Sequence, residues 1–354
     1  MSAPTLSAAV TAANDLTARW CAARDSREFV LSGAGLWPLL ALLSEAADGP
    51  ARAELSAATG RPASAGRDDA LDLLRALSGG ATSAALGVWV RRDLPLHEEW
   101  VASLPAGVVE HLLGQAQLDA WANEHTRGMI ERFPLQVRPR DVLVLATALA
   151  AKTTWLEPFD PGKVLTRSTV DLDQAGTLAG GVTRVVVEGS DGLDVHLLLG
   201  PDALRVGVDA LAGRLPAGPV DASSPGVTVR ESHGAHDTLR VSLPPFTLRT
   251  SHDLCAHADL FGLGAAMDAS HGHFPAISPQ PLAISQGAQD VYAQFSATGF
   301  EAAAVTAIGL RLASAFRIPR DRIRLVEVQF EPPFEFLAVD RASRLVVVAG
   351  RVAP

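Results

Sequence analysis

The 354-residue chain has few of the features that mark disulfide-rich, nucleic-acid-binding or membrane-spanning proteins. It has two cysteines, Cys21 and Cys255, in no C-x-x-C pair, so we expect buried, reduced thiols and no disulfide framework. Only Lys152 and Lys163 are lysines, and a net charge of −9 argues against general affinity for nucleic acid. No apolar run approaches the roughly 20 residues of a membrane helix.

The chain also lacks a recognisable secretory signal at its beginning. No basic residue precedes Arg19 and no unbroken apolar run follows the first methionine, which favours a cytoplasmic location over secretion. Arginine supplies 28 of the 30 basic residues. With abundant alanine, glycine and proline, this skew indicates GC-rich coding and a bacterial source.

Standard catalytic motifs are missing as well. There is no G-x-S-x-G, H-E-x-x-H or Walker A motif. Ser32 in "LSGAG" precedes glycines, but no histidine or aspartate is placed as its partner, so we expect it to cap the next helix. Gly262 and Gly264 in "FGLGAA" follow no strand, which argues against a dinucleotide loop.

A histidine-rich segment is the one candidate for metal binding. It contains His252, Cys255, His257, His271 and His273. Zinc accepts such ligands, but the spacing matches no standard finger, so we expect no metal site and incidentally packed or exposed side chains. A zinc-dependent enzyme built on this segment remains an alternative.

The residues that are present describe a compact α+β protein. A hydrophobic content of 48% with 19% charge is that of a globular chain and not a disordered one. The first 130 residues carry apolar residues at helical spacing, whereas strand patterns dominate from residue 142, including a C-terminal hairpin. Helices followed by strands predict an α+β fold, and the absence of a linker predicts one domain over residues 1–354.

Six blocks, in this order, resemble the serpin family of protease inhibitors over nearly the whole chain. They are "FVLSGAGLWPLLALLSEAADGPARAELSAATG", "LDAWANEHTRGMI", "ATALAAKTTWLEPFDP", "LPPFTLRTSHDLCAHADLFGLGAAMD", "HFPAISPQPLAIS" and "PPFEFLAVDRASRLVVVAGRVAP". The resemblance implies a serpin fold, with a helical N-terminal half packed on three β-sheets. It also implies an exposed reactive-centre loop, at about residues 297–326.

The resemblance further implies a suicide-substrate mechanism. A target protease attacks the loop and becomes acylated, and the loop's hinge then inserts into the large sheet as a new strand. The segment "GFEAAAVT" resembles that hinge, and Phe300 departs from it because Thr or Ser is usual there. An inward Phe300 would overpack the core by ~1–3 kcal/mol unless a pocket exists. The hinge residues are Gly299, Phe300, Glu301, Ala302, Ala303, Ala304 and Thr306.

The family's spacing puts the reactive bond between Ala313 and Ser314, which would suit elastase-like or subtilisin-like serine proteases. Arg311, Leu312 and Arg317 are alternatives, and an arginine would redirect the inhibitor to trypsin-like enzymes. The default interpretation of the arginine-rich residues 311–324 is a solvated loop. They could also be a protease bait or a dock for an anionic partner.

Four residues resemble those that control opening of the serpin sheet. Trp155 matches the tryptophan at the breach, where the loop first enters, although a core aromatic would look the same. Ser32 matches a serine of the shutter, the polar cluster beneath the opening point. Thr147 and Gln289 stand at shutter positions where Asn and His are usual. Gly35 stands at a third such position, where Ser is usual.

We therefore expect a monomeric inhibitor of a serine protease, and not an enzyme, that needs no cofactor and binds neither nucleic acid nor membrane. The alternative is a non-inhibitory serpin-fold protein with a binding or chaperone-like role. Phe300 is the residue-level argument for that alternative. The hinge alanines and Thr306 argue for inhibition.

Overall fold

The structure is a computed structural model that describes residues 7–25, 27–300 and 322–354. Most helical residues lie in the first 125 positions, as the sequence predicts. The α-helices are α1 (Ala8–Ala22), α2 (Gly33–Ala46), α3 (Gly49–Thr59), α4 (Gly66–Ala76), α5 (Glu98–Ala102), α6 (Gln115–His125), α7 (Ala203–Leu211) and α8 (Ala258–Phe261). Short 3-10 turns occur at Ala63–Ala65, Leu172–Gln174, Cys255–His257 and Ala265–Met267.

Strands dominate the rest of the chain, which confirms the α+β prediction. They are β1 (Phe29–Leu31), β2 (Thr82–Val90), β3 (Val109–His111), β4 (Leu143–Ala151), β5 (Thr153–Thr154), β6 (Leu165–Thr169), β7 (Ala175–Leu178), β8 (Val182–Val187), β9 (Leu193–Leu199), β10 (Ala217–Pro219), β11 (Val227–His233), β12 (Thr238–Leu243), β13 (Phe246–Asp253), β14 (Ala288–Phe295), β15 (Gly299–Phe300), β16 (Arg322–Gln329), β17 (Phe334–Asp340) and β18 (Val346–Val352).

A seven-stranded antiparallel sheet forms the centre of the molecule. Its order is β1-β18-β17-β9-β8-β7-β10. The strands β9, β17 and β18 are almost continuously buried because both faces of the sheet are covered. The patterns "TRVVVEG" and "LDVHLLLG" around the turn "SDG" predict a strand pair, and β8 and β9 are antiparallel neighbours. The predicted C-terminal hairpin is β17–β18.

A second sheet of four strands, β11-β16-β12-β6, holds β16 between two partners. This strand begins at Arg322, whereas the sequence predicted a loop that continues to about residue 326. Arg322 pairs with Glu231 of β11, and the backbone of Arg324 donates to Asp237. The arginines made this segment look like a solvated loop. Their acidic partners, which allow the strand to form, lie about 90 residues away in the chain.

The remaining seven strands form two hydrogen-bonded sheets, which we call the two halves of the divided sheet. One half has the order β3-β2-β4, and the other has the order β13-β14-β15-β5. Since β4 and β5 follow each other in the chain, the two halves meet at one end and diverge along β4 and β14. Hydrogen bonding therefore gives four sheets where the sequence predicted three, because the predicted large sheet is divided in two.

Helix α2 lies beneath the divided sheet and packs against α1, α3, α4, β4 and β18. Eleven of its 14 residues are buried, and it is apolar on nearly all sides, as a largely buried helix must be. Ser32 caps it as predicted, because its side chain accepts a hydrogen bond from the backbone N–H of Gly35.

The apolar spacing in "LDAWANEHTRGMIERF" predicts one helix over residues 118–133, but α6 is shorter. It ends at His125, because Arg127 and Gly128 adopt positive φ angles of 55° and 84°. The following residues include Ile130 and Phe133, which still bury their side chains against Trp89 and Val144. Of the helices in the described ranges, none combines the length and apolarity required to span a membrane.

Candidate functional site: a cleft in the large sheet

The divided sheet contains an apolar cleft between β4 and β14. Within the described residues these strands share no hydrogen bond, so each turns an unpaired backbone edge toward the other. The space between them has a volume of about 330 Å³. Leu36, Leu40 and Leu43 of α2 contribute to its floor. Two facing, unpaired edges over an apolar floor can accept one additional strand.

The upper end of the cleft is closed by the first two predicted hinge residues. Gly299 pairs with Thr154, and Phe300 pairs with both Thr153 and Phe295, so β15 lies between β5 and β14. A Cβ on Gly299 would lie 2.3 Å from the carbonyl oxygen of Thr153. Only glycine fits at this position, because the neighbouring backbone approaches so closely.

Phe300 has a pocket of its own. Its side chain is 3% exposed, and its ring meets Phe336 edge-on with centroids 6.0 Å apart. It faces the core together with Phe295, its cross-strand neighbour. The condition set by the sequence argument, that a pocket must exist for this side chain, is met.

Trp155 lies directly above this point, where the halves of the sheet meet. Its indole Nε1 donates to the carbonyl of Ser296 at 2.9 Å, and its backbone N–H donates to Thr298. Its ring packs on Phe295 with centroids 4.7 Å apart. Trp155 is therefore a core aromatic that also ties β5 to the turn preceding β15.

The three shutter candidates meet beneath the cleft at the start of α2. The amide of Gln289 accepts from the backbone N–H of Ser32 at 3.0 Å and donates to its carbonyl at 2.9 Å. The hydroxyl of Ser32 donates to Val347, and that of Thr147 donates to Gly35. These contacts tie β14 and β4 separately to α2, so the polar cluster bridges the cleft from below.

The lower end of the cleft has a polar tie that sequence reasoning missed. The buried carboxylate of Asp141, just before β4, accepts from Ser285 at 3.0 Å and from Gln286 at 2.8 Å. It also accepts from the backbone N–H of Arg138. A buried aspartate in "RPRDVLVL" is a sequence signal, but its partners lie more than 140 residues away.

The remaining predicted site residues lie outside the described ranges. They are the hinge residues Glu301, Ala302, Ala303, Ala304 and Thr306, the reactive-bond candidates Ala313 and Ser314, and the alternatives Arg311, Leu312 and Arg317.

The histidine-rich segment is spread over different structures. Imidazole Nε2 of His252 contacts the carbonyl of Val30 at 2.8 Å, and burial lowers the pKa of this histidine. His273 contacts the carbonyl of Asp268, and burial raises the pKa of the Cys255 thiol. In the part of the chain that the structure describes, no three metal-binding side chains come together.

The family model for serpin (serine protease inhibitor) matches residues 7–170 and 224–354. The chain belongs to the serpin family. Serpins are mostly protease inhibitors and not enzymes. The unmatched residues, 171–223, contain β7 to β10 and α7. A comparison with curated protein sequences gave no match.

Solved serpin structures resemble this one over almost their whole length. Serpin48 of the insect Tenebrio molitor is 17% identical, with 97% of this chain and 96% of that chain covered and a TM-score of 0.69. Human thyroxine-binding globulin complexed with thyroxine is 16% identical, with 97% of each chain covered and a TM-score of 0.69. Cleaved Serpin 42Da is 13% identical, with 97% and 96% covered and a TM-score of 0.72. At these identities the likeness establishes the fold alone.

Proposed function

We propose that this serpin inhibits a serine protease as a suicide substrate. The protease serine attacks the carbonyl carbon of Ala313, and the bond to Ser314 breaks with a proton delivered to the departing amine. The ester that remains joins the protease to residue 313. Insertion of the hinge into the cleft then carries the acylated protease away before water can hydrolyse the ester.

The observation that carries this proposal is the pairing register of β15. Gly299 faces Thr154, and Phe300 faces both Thr153 and Phe295. In an antiparallel pair, each step forward along one strand is matched by one step back along its partner. An unbroken register therefore brings residue 306 level with Thr147 on one side and Gln289 on the other. A hinge threonine would thus meet both polar residues that bridge the cleft.

The alternation of side chains after Phe300 also supports insertion. Successive residues of a strand point to opposite faces, and Phe300 points into the core. Residues 302, 304 and 306 would therefore point inward, and they are alanine, alanine and threonine. Glu301 and Arg311, the charged residues, would both point outward. A one-residue slip would bury both charges.

The length of the cleft favours a reactive bond near its lower end. In the same register, residue 310 is level with Leu143, the first residue of β4. A new chain end at Ala313 would therefore lie just beyond Asp141, the tie at the lower end. The bond between Ala313 and Ser314 fits a protease with a small specificity pocket, of the elastase-like or subtilisin-like kind. The trypsin-like alternatives would cut at Arg311 or Arg317.

The proposal is tested by incubating the protein with elastase, subtilisin and trypsin, followed by denaturing gels and mass spectrometry. We expect a denaturation-resistant complex with one of the first two enzymes and a released peptide that begins at Ser314. Cleavage by all three enzymes without any complex would contradict the proposal. That outcome would support a non-inhibitory binding or chaperone-like serpin.

A pair of hinge variants tests the inserted strand itself. Ala302→Arg adds a charge on the inward side, and we expect at least tenfold less complex per cleaved molecule because that charge must be buried. Glu301→Arg adds the same side chain on the outward side and serves as the matched control. Equal trapping by both variants, with cleavage rates unchanged, would argue against the register.

A further inference from the structure

The strand β5 is held on its second edge by the turn between β8 and β9. The backbone N–H of Ser190 donates to Thr154 at 2.8 Å, and the N–H of Leu156 donates to Glu188 at 3.0 Å. The hydroxyls of Thr154 and Ser190 are 2.8 Å apart. Residues 188–192, which we name the entrance turn, therefore support β5 opposite β15.

The entrance turn packs against β5 without any free space between them at Gly189. A Cβ on Gly189 would lie 2.2 Å from the hydroxyl of Thr153 and 2.1 Å from the carbonyl of Leu193. Gly189 also forms an isolated β-bridge with Trp155. Any displacement of the turn is thus transmitted to Thr153, the residue that pairs with Phe300.

An ion pair and one backbone hydrogen bond, from the N–H of Arg341 to the carbonyl of Gly192 at 2.8 Å, hold the entrance turn. Arg341, after β17, donates Nε and Nη2 to the two carboxylate oxygens of Asp194 at 2.8 and 2.5 Å. Asp194 Oδ1 also accepts from the N–H of Gly189, while Nη2 of Arg341 donates to the Gly189 carbonyl at 2.9 Å. Both polar backbone groups of Gly189 are therefore held by the ion pair.

Asp194 and Arg341 differ in exposure, and substitution of the exposed arginine therefore affects a buried carboxylate. The side chain of Asp194 is 7% exposed and that of Arg341 is 44% exposed. A two-pronged arginine–carboxylate contact fixes orientation as well as charge, and lysine cannot reproduce it. Removing Arg341 leaves a nearly buried carboxylate without its cation.

We propose that Arg341 and Asp194 are positioning residues for loop insertion, because they hold the entrance turn against β5 where the hinge first pairs. This inference rests on the proposed inhibitory function. Asp194 and the entrance turn lie within residues 171–223, outside the family match, whereas Arg341 lies inside it. A loose entrance would delay insertion and let water hydrolyse the ester first.

The test compares Arg341→Gln with Arg351→Gln, a control that removes an ion pair between Arg351 and Glu335 on the same sheet. Two quantities are measured with the protease that is trapped: the rate of loop cleavage, and the molecules of inhibitor consumed per protease trapped. We expect Arg341→Gln to keep the cleavage rate within twofold and to raise consumption at least fivefold. Arg341→Lys should lie between Arg341→Gln and wild type, and Arg351→Gln should match wild type.

Equal consumption by Arg341→Gln and Arg351→Gln would overturn the inference, because it would reduce the ion pair to general stability. A second measurement does not depend on inhibition. Amide hydrogen exchange of the uncut protein should show lost protection at Trp155, Leu156 and Ser190, whose N–H groups hold β5 to its two neighbours, in Arg341→Gln alone. If wild type traps no protease, the proposed function fails, and this exchange pattern still decides whether the ion pair holds the entrance. Unchanged protection would overturn the inference.

Discussion

Single residues at the top of the cleft have almost no freedom to vary. Gly299 has the carbonyl of Thr153 where its Cβ would be, and Phe300 occupies a pocket beside Phe336. The two residues are therefore required for opposite reasons. Gly299 must have no side chain because the Thr153 backbone occupies that space, whereas Phe300 must have a large one to fill its pocket. Sequence comparison with serpins flagged Phe300 as a misfit, but whether a pocket receives it depends on residues from distant strands.

Replacement of Gly299 by alanine should weaken the pairing between β15 and β5. The added methyl group cannot fit 2.3 Å from the Thr153 oxygen, so the strand must move. We expect the free energy of unfolding of the uncut protein to fall by ~1–3 kcal/mol, measured by urea denaturation. Gly218→Ala is the control, because a Cβ there meets nothing within 4 Å. Equal effects of the two substitutions would mean that β15 is not held as described.

Secondary-structure elements show what local sequence can and cannot predict. The β8–β9 pair, the β17–β18 hairpin and the α2 cap follow from alternation, turn residues and a capping serine close in sequence. The end of α6 was missed although Gly128 gave a signal, because the apolar spacing continues past it. The ion pair of Asp194 and Arg341 was not predictable from local pattern, since 147 residues separate its partners.

The tie between β14 and α2 gives a prediction for Gln289. Its amide satisfies both backbone groups of Ser32 in a partly buried place. Gln289→Leu should lower the free energy of unfolding of the uncut protein by about 1–3 kcal/mol, because two polar groups lose their partners away from water. Urea denaturation measures this change.

A matched control for Gln289 exists on α6. Gln117 makes the same two kinds of contact, accepting from the N–H of Leu113 and donating to the carbonyl of His111, but at an exposed site. Gln117→Leu should have a clearly smaller effect, since water replaces the lost hydrogen bonds. If Gln117→Leu lowers the free energy of unfolding as much as Gln289→Leu does, burial does not explain the contribution of Gln289 to stability.

The whole molecule should become less stable in mild acid because of His196 at the centre of the seven-stranded sheet. Burial lowers the pKa of His196 to about 4, assisted by Arg184 and partly opposed by Asp194. The unfolded chain takes up this proton near pH 6.5, well before the folded one. Stability from the neutral imidazole is therefore complete above about pH 6.5 and is lost as the pH falls toward 4.

Urea denaturation between pH 7.5 and 4.5 measures this effect. The His196 contribution is on the order of 2–3 kcal/mol over that interval, and His196→Phe should flatten the curve by that amount. His236→Gln, at an exposed position, is the control and should follow wild type. Parallel curves for wild type and His196→Phe would show that other groups cause the acid sensitivity.

The strands after residue 321 lie inside two sheets and not at their margins. β16 has β11 and β12 as neighbours, while β17 and β18 lie between β9 and β1. A chain nicked between residues 300 and 322 therefore becomes two polypeptides that stay interlocked and cannot separate without unfolding. Fragment complementation becomes feasible: a synthetic C-terminal peptide, supplied during refolding, could complete the molecule and carry a label in only one of its two pieces.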